Sequence, residues 1–144
     1  MSDNQIRNKS FPILFVDDDQ IVHKLVEVYL KNWKVFYAFS AEDALDILDK
    51  ENIQIVITDI NMPNMNGIEL LKNIKKKHGT VQVIMLTGEN DVEHLINALS
   101  QGANDFLLKP VTKEKIEEAL SHTFEKISRW KKAMKEIFNK KISD

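Results

Sequence analysis

Strand-like and helix-like segments alternate five times along the 144 residues, and no other feature restricts the fold as tightly. Short runs rich in β-branched and aromatic residues fall at Ile13–Val16, Val35–Phe39, Ile53–Thr58, Val81–Leu86 and Asp105–Leu108. Helical periodicity fills the intervals, at about 20–31, 41–51, 67–78, 91–101 and from 113 onward. The third run, IQIVIT, is almost entirely apolar, the pattern of a strand covered by helices on both faces. Regular βα alternation with short loops predicts a parallel sheet with right-handed crossovers. Ligands of such sheets bind outside the carboxyl ends of the strands, so the residues just after each strand should share one pocket.

Punctuation supports the segmentation. SAED at Ser40–Asp43 is similar to a capping box, with Asp in place of the usual last Glu. Pro63 and Gly67 interrupt the chain before the third helix, and Gly102 suits the end of the fourth.

The strand ends are chemically unusual. Asp17, Asp18 and Asp19 follow the first strand, Asp59 the third, Thr87 the fourth, and Lys109 and Pro110 the fifth. Singly, an Asp after a strand is a turn former or helix cap, a Thr a strand residue and a Lys a surface charge. Together, several acids at one sheet end repel one another unless a cation lies among them. Hard oxygen donors suit Mg²⁺, which one or two carboxylates hold alongside waters and phosphate oxygens. A carboxylate can also act as nucleophile and form an aspartyl phosphate. The chemistry indicated is Mg²⁺-dependent phosphoryl transfer involving an aspartate. Neither a G-x-x-x-x-G-K-[ST] loop nor a G-x-G-x-x-G turn is present, so the donor is not expected to be a nucleotide bound by this chain.

Composition closes off other classes. There is no cysteine, which excludes disulfides and thiolate metal sites. The opening MSDNQIRNKS lacks a signal-peptide core and is expected to be a disordered polar segment over residues 1–10. No apolar run approaches the roughly 20 residues that span a bilayer, so a cytoplasmic location is expected. Residues 1–120 carry 13 basic and 19 acidic side chains, residues 121–144 carry 7 and 3. A basic tail of this kind reads as a solvated helix face, and direct nucleic-acid binding is not expected.

The series VDDD, TDINMPNMNG, LTGEN and LKP resembles the receiver domain of two-component response regulators, chemotaxis regulators among them, over residues 11–121. That resemblance implies a doubly wound, flavodoxin-like five-stranded sheet in the order 2-1-3-4-5. It also implies that Asp59 is the phosphoacceptor, served by a histidine kinase or phosphotransfer protein. Asp18 would ligate Mg²⁺ directly and Asp17 mainly through a water, with Asp59 and the backbone carbonyl of Asn61 completing the metal site. Thr87 would bind a phosphoryl oxygen, Lys109 would pair with the phosphoryl group, and the Lys109–Pro110 bond would be cis. Asp19 is left to cap the first helix. Asn61 and Glu89 sit at positions that tune self-dephosphorylation and imply a short phosphoryl lifetime. Phe106 occupies the switch-aromatic position without a hydroxyl, so burial alone would favour its inward state. Thr87 and Phe106 would relay phosphorylation to the surface of the fourth helix, fifth strand and fifth helix. The protein would be a phosphorelay switch that catalyses only its own phosphorylation and dephosphorylation.

Two alternatives use the same residues. One is an interaction module that no longer accepts phosphate, against which the complete set Asp17, Asp18, Asp59, Thr87 and Lys109 speaks. The other resembles haloacid-dehalogenase-type phosphatases, with Asp17 as nucleophile and Asp19 as general acid. It leaves Asp59 unexplained, puts Ile21 where Thr or Val belongs, and finds no acidic metal motif after Lys109. The four histidines, His23, His78, His94 and His122, show no metal-like spacing and read as surface residues.

Helical periodicity runs past residue 121, with Leu120, Phe124, Ile127, Trp130, Met134, Ile137 and Phe138 spaced by threes and fours. Residues 122–144 are therefore expected to form a helical extension. Three uses present themselves: pairing with a second copy, leading into an output domain, or lying on a membrane surface. The 23 residues after Ser121 are too few for a folded output module.

Overall fold

Every strand expected from the apolar runs forms in the computed structural model, which describes residues 11–143, with Ser143 described by its backbone alone. The expectation for residues 1–10 falls outside that range. The strands are β1 (Ile13–Val16), β2 (Val35–Ala38), β3 (Ile55–Asp59), β4 (Gln82–Thr87) and β5 (Asp105–Leu108). The helices are α1 (Gln20–Tyr29), α2 (Ala41–Lys50), α3 (Gly67–Lys77), α4 (Val92–Ser100) and α5 (Lys113–Ser143). All neighbouring strands are parallel, in the order β2-β1-β3-β4-β5. Strand order therefore reverses between β1 and β3, with Ile13 opposite both Val35 and Ile55. That reversal opens a crevice at the carboxyl ends of β1 and β3.

The pleat sends alternate side chains to opposite faces and divides the core in two. Ile13, Phe15, Ile55, Ile57, Ile84 and Leu86 meet Val26 of α1, Leu30 at its end, and Ile116, Leu120 and Phe124 of α5. Leu14, Val16, Val56, Val83 and Met85 meet Leu48 of α2, Leu71 and Ile74 of α3, and Ala98 of α4. β3 and β4 extend one residue further than their apolar runs predict. Asp59 and Thr87 are thus the last residues of the strands rather than the first of the loops, which holds both side chains on rigid backbone.

Local chemistry sets the helix ends. Asp19, Ser40 and Asn66 accept hydrogen bonds from the free N–H groups of Ile21 (2.8 Å), Asp43 (3.1 Å) and Glu69 (2.9 Å). Gly102, at φ +102°, takes the left-handed conformation that ends α4. Gly67 does more than break the chain. A Cβ there would overlap the Asp59 carbonyl oxygen and crowd Ile60, so its missing side chain lets α3 begin directly against the end of β3.

α5 has 31 residues and spans about 46 Å. Its first half is seated on the domain, where Phe124 stacks between Phe11 (4.9 Å) and Trp33 (5.6 Å). Beyond Ile127 it no longer packs into the core, leaving Trp130, Met134, Ile137, Phe138 and Ile142 exposed. No described helix is long and apolar enough to cross a membrane.

Candidate functional site

β1 delivers two carboxylates to the crevice in different states. Asp17 is buried, with 1% of its surface exposed, whereas Asp18 is exposed. Asp17 Oδ1 accepts from the Asp19 N–H at 2.9 Å, while its buried Oδ2 has no hydrogen-bond partner among the described residues. Burial pushes the Asp17 carboxyl up to about 6, and the neighbouring Asp59 and Asp18 charges act in the same direction. The Asp19 N–H and Lys109 only partly oppose them. Asp19 caps α1, its Oδ1 accepting from the Ile21 N–H.

Asp59 is nearly buried at the end of β3. Its Oδ1 accepts from Lys109 Nζ at 2.8 Å and from the Asn61 N–H at 3.4 Å, and among the described residues its Oδ2 takes no hydrogen bond. The lysine thus bonds to Asp59 and reaches Asp17 through its charge alone. The Lys109 N–H donates to the Thr87 carbonyl at 2.8 Å, which ties the lysine to the end of β4, and the Lys109–Pro110 peptide is cis. Thr87 is buried, and its Oγ1 makes a long 3.3 Å bond to the Gly88 carbonyl.

One carboxylate oxygen from each of Asp17, Asp18 and Asp59 lies within 4.8 Å of the other two. Oxygens around one Mg²⁺ stand about 3–4 Å apart, so small side-chain adjustments would gather these three on a single ion. Three acids against one lysine leave excess negative charge, and the partnerless Asp17 Oδ2 is an oxygen in want of a cation. The donor set fits Mg²⁺. A cleft of about 590 Å³ leads to it between α1 and the β5–α5 loop, lined by Val22, Leu25, Lys109 and Val111 beside the acids.

The remaining expected residues sit at the rim. Asn61 is exposed, and its Nδ2 donates to the Asp91 carboxylate at 3.3 Å. Asp91, which sequence pattern alone did not single out, also accepts from the Gly88 N–H at 3.1 Å and pairs with His94 at 3.6 Å. Those donors, the Gly88 N–H foremost, hold its carboxyl below the usual range. It therefore ties the β3–α3 loop to the β4–α4 loop across the mouth of the site. Glu89 is exposed in the second of these loops.

One expectation needs correction, that of His23, whereas Phe106 takes the outward of its two positions here, 44% exposed. β5 is an edge strand, and Phe106 shares its exposed face with Leu108. His23 is not a surface residue: it is 2% exposed, stacked on Phe39 with ring centroids 4.0 Å apart. His78, His94 and His122 lie outside the core, each beside a carboxylate, of Asp49, Asp91 and Glu118 respectively. A polar ring on α1 reads as solvated until the aromatic just past β2 covers it.

Comparison with known proteins agrees with the geometry. The family model of the response regulator receiver domain matches residues 13–121. Chemotaxis protein CheY-3 of Vibrio cholerae is 37% identical over 129 residues, covering 85% of this chain and 98% of that protein. Regulatory protein VanR of Enterococcus faecium is 41% identical over 100 residues, 68% of this chain but only 43% of VanR. Among solved structures, a response regulator receiver domain protein from Clostridium thermocellum superposes with TM-score 0.79 at 31% identity, covering 83% of this chain and 98% of its own.

Proposed function

The chain belongs to the response regulator receiver domain family, and on that footing we propose that Asp59 accepts a phosphoryl group from a histidine kinase or phosphotransfer protein. Receiver domains are signalling switches rather than classical enzymes. The observation that carries the assignment is the pairing of a nearly buried Asp59 with Lys109 inside a cluster of carboxylates. With Oδ1 occupied by Lys109, Oδ2 is the oxygen left to attack. Its lone pair forms the new O–P bond while the donor's P–N bond breaks, the electron pair leaving on the imidazole nitrogen.

Asp17, Asp18, Asp59 and the Asn61 carbonyl would hold Mg²⁺, which when bound supplies positive charge to the phosphoryl oxygens. Lys109 neutralises the Asp59 carboxylate before transfer and donates to a phosphoryl oxygen after it. The Thr87 hydroxyl, engaged only in a long bond to Gly88, can turn toward the modified Asp59. Space vacated by Thr87 admits Phe106, whose inward movement would alter the apolar surface of α4, β5 and α5. Asn61 and Glu89 flank the route by which water reaches the acyl phosphate, which supports a short phosphoryl lifetime. Exposed apolar residues past Ile127 support pairing of α5 with a second copy, or its continuation into an output domain.

Treatment with acetyl phosphate and Mg²⁺, followed by mapping of the modified residue, tests the assignment. Asp59 should carry the phosphoryl group and Asp59→Asn should abolish it. Phosphorylation of Asp17 with Asp59→Asn still competent would overturn the reading.

A further inference from the structure

His23 is more than a buried side chain beside the acidic turn. Its Nε2 lies 2.7 Å from the Asp17 carbonyl oxygen. A carbonyl can only accept, so Nε2 carries the proton, and Nδ1 of the neutral ring is the bare nitrogen. That Nδ1 is buried without a hydrogen-bond partner among the described residues. Leaving a polar atom so is unfavourable, and an apolar side chain would fill the same space without that cost. Packing alone does not account for a histidine at this position.

The carbonyl it holds belongs to the peptide that joins Asp17 to Asp18. Rotation of that peptide would swing one carboxylate relative to the other. The Asp17 Oδ1 bond to the Asp19 N–H restrains the side chain, while the ring restrains the backbone. The ring itself cannot turn, because Phe39 stacks on it at 4.0 Å and Phe15 meets it edge-on at 5.3 Å. Asp18 is exposed and accepts no side-chain or backbone hydrogen bond among the described residues, so its placement depends on the backbone that carries it.

We propose that His23 is a positioning residue of the Mg²⁺ site, fixing the Asp17–Asp18 peptide through Nε2–H; this rests on the receiver reading and deepens it. The hydrogen bond and the ring can be separated. A glutamine places its Nε2 the same number of bonds from the backbone as the histidine Nε2, and methionine has nearly the same length without a donor. Both variants lose the aromatic stack, and of the two only glutamine can still donate to the Asp17 carbonyl. Calorimetric titration with Mg²⁺ in the full chain should find His23→Gln within about threefold of wild type. His23→Met should bind about tenfold more weakly or worse, the usual scale for loss of a group that orients a metal ligand. The ¹⁵N shifts of the wild-type ring should show the Nε2–H tautomer, a measurement that needs no variant to fold. Equal affinity of the two variants, or a wild-type Nδ1–H tautomer, would refute the role of His23 while leaving the site intact. Failure of wild type to bind Mg²⁺ at all would instead remove the receiver reading and this inference with it.

Discussion

Replacing Asp17 with Asn should stabilise the Mg²⁺-free protein at pH 8 and leave it nearly unchanged near pH 3.5. The carboxyl is buried, its Oδ2 lacks a partner, and its folded value of about 6 stands well above the usual 3.8. Below about pH 3.8 the group is protonated in folded and unfolded chains alike and costs nothing. Between that value and about 6 the unfolded chain ionises while the folded chain resists, so the folded state binds more protons and stability falls as pH rises. Above about pH 6 the whole cost is present. The interval from 3.8 to about 6, at about 1.4 kcal/mol per pH unit, makes it roughly 3 kcal/mol. Asn keeps an oxygen to accept the Asp19 N–H and carries no charge. Urea denaturation in EDTA, repeated from pH 3.5 to 8, measures the difference between variant and wild type. Subtracting the two curves removes every other titrating group. The difference should grow from near zero to about 3 kcal/mol across that window. Saturating Mg²⁺ should then reverse the order, because wild type gains binding energy that the variant cannot. A difference flat with pH in EDTA would refute the assignment of the cost to the buried Asp17 charge.

Three further outcomes can be checked. Gly67→Ala forces a Cβ onto the Asp59 carbonyl, so it should destabilise the fold by about 1–3 kcal/mol in urea and slow acetyl phosphate labelling of Asp59. Lys109→Met removes the one cation bonded to Asp59 among the described residues; Mg²⁺ affinity by calorimetry should rise several-fold while phosphorylation falls by about tenfold or more. Deleting residues 129–144 removes the exposed stripe of Trp130, Met134, Ile137, Phe138 and Ile142 but spares Phe124 and Ile127 in the core; light scattering should show a dimer for the full chain and a monomer for the shortened one.

Sequence carried the fold a long way because its signals are local. A chain of short apolar runs separated by amphipathic helices has few ways to cover both faces of a sheet, and the parallel arrangement follows. Ser40 and Asp19 cap helices because a short polar side chain beside free N–H groups finds them regardless of the rest of the molecule. Gathering of Asp17, Asp18, Asp59, Thr87 and Lys109 at one end was also foreseeable, since each closes a strand and parallel strands end on one side.

Contacts between elements distant in the chain decided the rest. Nothing around His23 in α1 announces that Phe39, just past β2, will cover it, nor that the Asp17 carbonyl will need its proton. Asp91 reads as an ordinary helix start until Asn61 arrives from thirty positions upstream to share its carboxylate. The outward Phe106 reflects an edge strand with one face uncovered, which no property of residues 105–108 determines by itself. The fold came from patterns repeated within single segments, whereas the strengths and roles of the charges came from burial. Burial is a property of the assembled molecule: three adjacent aspartates alike in sequence become a buried carboxylate with a raised pKa, an exposed metal ligand candidate and a helix cap only after the strands and helices pack around them.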